Sequence, residues 1–127
     1  MQEESIKQQQ IEVLGELYDY SQKLIPAVET VISELKGTRQ ADTEEFLNTV
    51  IRGINWTIEV LNHTIDMVNA EETVVDKERL NEGVLGLGRA IREKDDDGTA
   101  EALKEKILPF LLGLNARAAV ITKQALN

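Results

Sequence analysis

Apolar residues return along most of this chain at alternating steps of three and four. That spacing keeps them on one face of an α-helix, which turns about 100° per residue. Between about Ser5 and Lys36 the a and d positions of a heptad register are Leu14, Leu17, Ser21, Leu24, Val28, Val31 and Leu35, with Ile11, Tyr18, Ile25 and Ile32 at e. Three positions in seven make a stripe wide enough for a bundle core. Pro26 lies inside the pattern, where a missing N–H and a crowded ring predict a kink or break. Gly37 follows as a natural C′ residue.

A second helix is predicted from Asp42, with Glu45 as its capping-box partner, to near Asn69 or Ala70. Its a and d positions are Leu47, Val50, Ile54, Thr57, Leu61, Thr64 and Val68, and Ile51, Ile58 and Ile65 stand at e. A third, shorter helix starts after Asp76 and buries Leu80, Val84, Leu87 and Ile91. Gly83, Gly86 and Gly88 interrupt it, each costing about 1 kcal/mol relative to Ala. The run Asp95-Asp96-Asp97-Gly98 is the clearest break in the chain. A fourth helix follows, capped by Asp97 or Thr99, with Leu103, Ile107, Phe110, Leu111, Leu114, Ala118, Ile121 and Ala125 on its apolar face. Pro109 predicts a bend in it. Short connections favour antiparallel neighbours, so the expected fold is all-α: one domain, 1–127, built as an antiparallel up-down-up-down four-helix bundle.

Composition sharpens this picture. The chain has 127 residues, of which 42% are hydrophobic and only 4% aromatic, so Leu, Ile and Val must fill the core. A chain of this length can bury a core of its own. The net charge of −9 repels nucleic-acid phosphate and anionic lipid, so neither is an expected partner. Without cysteine there is no disulfide, thiolate metal site or cysteine nucleophile. The opening Met1-Gln2-Glu3-Glu4 is unlike a signal peptide, and no apolar run reaches the roughly 20 residues that span a bilayer. A cytoplasmic location is the expectation.

Candidate chemistry is sparse. His63 is the sole histidine, with Glu59 and Asp66 within one turn on either side. Di-metal bundles use Glu-x-x-His pairs on two helices, and here the spacing is one residue longer and no second histidine exists. Histidine phosphotransfer domains are bundles of similar size with one exposed histidine. They place Lys and Gly just after it, where this chain has Thr64, Ile65, Asp66 and Met67, and Asp66 would repel a phosphoryl group. Glu93 to Lys104 overlays a calcium loop until its twelfth position, where a bidentate Glu is required and Lys104 stands. Gly83 to Gly88 lacks the Lys-Ser/Thr of a phosphate loop. No catalytic residue, cofactor or metal is expected.

The most unusual pattern is on the second helix. Asn48, Asn55, Asn62 and Asn69 recur every seventh residue at b, and Thr49, Trp56, His63 and Ala70 recur at c. Asn gains nothing from helix propensity. Trp56, the sole tryptophan, falls outside the a/d/e stripe, and tryptophan is a frequent interface anchor. The expected function is therefore a non-enzymatic protein–protein interaction module, an adaptor, scaffold or chaperone-like protein. Trp56, Asn48, Asn55, Asn62 and His63 would take a protein partner or a second copy of the chain. Small acidic bundles that guard flagellar or secretion substrates share these bulk properties. The competing expectation is a small-molecule or metal-binding bundle, with or without enzymatic activity, using His63.

Overall fold

The fold is all-helical in a computed structural model that describes residues 2–126. Met1, part of the acidic opening segment, and Asn127 lie outside the described residues. Helix α1 spans Gln2–Leu35, α2 Thr43–Val68 and α3 Lys77–Arg92. The fourth helical run has three parts: α4 over Asp96–Ala102, a π turn over Leu103–Ile107, and α5 over Leu108–Leu126. Among the described residues no strand occurs, and no helix is long and apolar enough to cross a membrane.

The heptad stripes become the core. In α1 and α2 every a and d residue is buried, from Leu14 to Leu35 and from Leu47 to Val68. They meet Leu103, Ile107, Leu111, Leu114 and Ala118 of the fourth run in one hydrophobic cluster. Burial on this scale, at about 25 cal/mol per Å² of apolar surface, drives the assembly. Helix α1 is central, packing along α2, α4 and α5. Its cross-helix pairs run in opposite directions: Glu34 meets Thr43, Tyr20 meets Trp56, and Gln10 meets His63. Gly15 with Thr122 and Gln22 with Asn115 show the same opposition between α1 and α5. Helix α3 lies against α4 and the π turn rather than along α2, although α2 precedes it in the chain.

Several local expectations change. Of the kink or break expected at Pro26, the break does not occur: α1 continues through the proline. Helix α3 is unbroken at its glycines, and its buried stripe is rotated to Leu80, Gly83, Leu87 and Ala90, leaving Val84 and Ile91 half-buried. The cause lies at Gly83, where a Cβ would sit 2.8 Å from Cβ of Lys106. Only a residue without a side chain lets α3 come so close to the π turn. That turn itself sits immediately before Pro109. Proline cannot donate to the carbonyl four residues back and its ring crowds that carbonyl, and the N–H of Leu108 bonds to the carbonyl of Leu103, five residues back. A widened turn lets the helix continue through the proline. Tyr18 and Ala125, expected on apolar faces, are exposed.

The helix ends differ from expectation for identifiable reasons. Asp76 does cap α3, its Oδ1 accepting from the N–H groups of Glu78 and Arg79. Asp42 makes no side-chain cap to α2; its backbone is outside the extended region that aims a capping side chain. Thr43 secures that corner instead, accepting from the Gln40 N–H and donating to Glu34 Oε1, both at 2.7 Å. At the fourth run the cap is Asp95 rather than Asp97 or Thr99, with Oδ1 accepting from the Gly98 N–H at 2.9 Å. Gly37 has a φ of 146°, open to glycine and strained for other residues.

The candidate interface between helices one and two

The packing of α1 on α2 leaves a groove on the outer side of the bundle. Two rows at the g position face each other across it: Ile6, Val13 and Tyr20 from α1, and Gly53 and Val60 from α2. Gly53 permits the close approach, because a Cβ there would collide with the Tyr20 hydroxyl and stand 2.9 Å from Leu24 Cδ1. Tyr20 is thereby laid across α2 and meets Trp56 edge-on, with ring centroids 5.3 Å apart and planes at 82°. Edge-to-face pairs of this kind are worth about 0.5–1.5 kcal/mol beyond their buried area.

Trp56 is half-buried, packed against the margin of the core, and it forms the shared wall of two surface hollows. One, of about 370 Å³, is lined by Ile6, Gln9, Val13, Glu59, Val60 and His63 among others. The other, of about 490 Å³, is lined by Glu16, Tyr20, Thr49, Arg52 and Gly53. Ile6 is 56% exposed and Tyr20 38%, so both ends of the groove carry apolar surface in water. The Gln10 side chain donates to the carbonyl of His63 at 2.9 Å, tying the two helices at one end.

The predicted site residues divide. Trp56 and His63 share the groove wall. Asn48, Asn55 and Asn62 are exposed on α2 but are not groove residues. Asn48 lies instead at the other flank, beside Arg39, Ile91, Lys94 and Asp96. The helical wheel gives the reason: b and c are about 100° apart, and the f position, with Arg52 and Glu59, lies between them. Asn69 has a structural duty. Its Oδ1 accepts from the N–H groups of Val74 and Val75, and its Nδ2 donates to the Val75 carbonyl, which folds the α2–α3 connection.

Among the described residues no group of three or more His, Cys, Asp or Glu side chains converges, and His63 is exposed. Asp95 and Asp96, from the segment that resembles a calcium loop, are engaged in a helix cap and in an ion pair with Arg39 at 3.1 Å.

The groove residues from α1 were missed in the sequence, although a signal was present. Ile6, Val13, Tyr20 and Ala27 recur every seventh residue, as do Phe46, Gly53, Val60 and Met67. These two g rows escaped notice because the e rows had already completed an apolar stripe. A family model described as Domain of unknown function (DUF8042) matches residues 12–116, which takes in Val13, Tyr20, Gly53 and Trp56. Neither the curated proteins nor the solved structures contain a match to the chain.

Proposed function

We propose that this chain, which belongs to the DUF8042 family, is a non-enzymatic protein–protein interaction module that takes its partner on the groove around Trp56. One observation carries the reading. The sole tryptophan is held edge-on by Tyr20 at the outer seam of two helices, with a hollow on either side of it. A rigid aromatic anchor between recesses is what a partner's side chains can interlock with. Covering the remaining surface of Trp56, Tyr20 and Ile6 would contribute on the order of 1–3 kcal/mol per large side chain. Arg52, Glu59, Gln9 and Gln10 supply a polar rim, as interfaces commonly have.

An adaptor, scaffold or chaperone-like role in the cytoplasm fits this arrangement. The net charge of −9 favours a protein over nucleic acid or an anionic membrane as the partner. The test is affinity purification from the native host with wild type and Trp56→Ala in parallel. A specific partner recovered by wild type and lost by a folded Trp56→Ala supports the reading. Partners that bind both forms equally overturn it.

A further inference from the structure

The outward stripe of α2 is self-complementary about Trp56. Arg52 stands four residues before Trp56 and Glu59 three after it, both exposed and both at f. Among the described residues neither has an ion-pair partner; Arg52 donates only to Thr49 Oγ1 at 3.3 Å. Two antiparallel copies of one helix bring residue i of the first opposite a residue of the second such that the two numbers have the same sum to within one residue either way. With the two-fold axis beside Trp56, Arg52 of each copy meets Glu59 of the other. On the groove side Trp56 meets Trp56. On the far side Asn55 meets Asn55. The central asparagine, the aromatic and the charges thus share one centre to within one residue.

We propose that a second copy of this chain covers this face, with α2 packed antiparallel on α2 about that axis. The inference rests on reading the Trp56 groove as an interface, and it names the partner. Symmetry makes each off-axis contact, the Arg52–Glu59 pair among them, occur twice. The surface matches itself in kind: an apolar centre, two opposite-charge pairs and neutral amides that donate and accept equally. The same f row also pairs Glu45 with Asp66, a like-charge contact. Those residues lie about 16 Å from the axis, where helices crossing at about 50° have splayed apart by about 13 Å. Two copies of net charge −9 repel at long range. The dimer is therefore weak, and it tightens as salt is raised from a few millimolar toward physiological strength, because distant repulsion is screened before close pairs are.

The decisive experiment is sedimentation velocity on wild type, Arg52→Glu, Glu59→Arg and an equimolar mixture of the two variants. Wild type is expected to dimerise reversibly, with the Trp56 emission shifting to the red on dilution. Each reversal creates two like-charge contacts and is expected to weaken the dimer at least ~10-fold. The mixture restores association, because only the heterodimer of Arg52→Glu with Glu59→Arg again joins opposite charges at both contacts. Both sites are exposed, so unfolding curves should match wild type and exclude misfolding as the cause. A wild type that stays monomeric, a dimer that neither reversal weakens, or a mixture that does not recover each overturns the proposal. If wild type is monomeric but a different partner still requires Trp56, only the second-copy inference fails; if nothing requires Trp56, the interface reading fails with it.

Discussion

Gly83 of α3 lies directly on Lys106 of the π turn, with room for no Cβ between them: one placed there would stand 2.8 Å from Lys106 Cβ. Gly86, one turn on, has open space where a Cβ would stand, with nothing within 4 Å. The two glycines therefore have opposite value. Gly86→Ala should raise stability by about 0.5–1 kcal/mol through helix propensity and a less flexible unfolded chain. Gly83→Ala gains the same propensity but forces α3 off the π turn, and overpacking of that kind costs about 1–3 kcal/mol. Denaturant melts of the two variants should move to opposite sides of wild type.

The turn between α3 and α4 is built on Lys94 and Asp95. The Asp95 N–H donates to Ala90 and the Lys94 N–H to Ile91, at 2.9 and 3.0 Å, which closes α3 in a Schellman arrangement with Lys94 at a φ of 55°. Lysine in that left-handed conformation costs roughly 1 kcal/mol that glycine would not. Lys94→Gly should therefore be neutral to stabilising despite the loss of a side chain. Asp95→Ala should lose about 0.5–2 kcal/mol with the Gly98 cap. Thermal melting of both variants decides the point.

Much of the fold could be read from the a and d rows, because a core residue is recognised by period alone. Leu14 to Leu35 and Leu47 to Val68 needed no tertiary information. What periodicity does not carry is which flank of each stripe meets which neighbour. The e and g rows of α1 are equally apolar, and only the close approach at Gly53 makes g the groove. Caps were legible where the backbone entering the helix is extended, as at Asp76. They were not legible where a buried hydroxyl from the helix itself secures the corner, as at Thr43. Trp56 and His63 could be singled out from the sequence. Tyr20, the aromatic neighbour of Trp56, lies on another helix and could not be placed beside it without the structure.

That corner gives a direct contrast. Thr43 is fully buried and its hydroxyl joins the Gln40 N–H to Glu34. Thr43→Val keeps the shape but orphans both partners, which costs about 1–3 kcal/mol. Asp42 makes no side-chain bond to the helix. Asp42→Ala should change stability by less than about 0.5 kcal/mol, the usual range for a surface change. A larger loss at Asp42 than at Thr43, in urea titrations, would reverse the assignment of this corner.

Ser21 occupies a core position in the a row of α1, with its Oγ buried and unpartnered. A buried hydroxyl without a hydrogen bond costs about 1–3 kcal/mol of desolvation. Ser21→Ala removes that cost and should raise the melting midpoint. A fall in the midpoint would mean that the hydroxyl is satisfied in solution.

The groove itself can be tested without a partner, through Gly53 and Tyr20. A methyl group at Gly53 meets the Tyr20 hydroxyl and Leu24 Cδ1. Tyr20 sits at the groove edge and is 38% exposed, so it can swing outward, whereas Leu24 is buried and cannot. Gly53→Ala should therefore displace the tyrosine and open its edge-to-face contact with Trp56. The only tryptophan in the chain reports this directly: its emission should shift to the red as its surroundings become wetter. Stability should fall by about 1–2 kcal/mol, the contact with Leu24 and the lost aromatic pair outweighing the gain in helix propensity. Tyr20→Phe removes the hydroxyl that collides first, so the double variant should recover part of the loss, giving a coupling of about 0.5–1 kcal/mol in a double-mutant cycle. Additive effects, with tryptophan emission unchanged in Gly53→Ala, would mean that Tyr20 is not held by Gly53 and that the wall of the groove is set elsewhere.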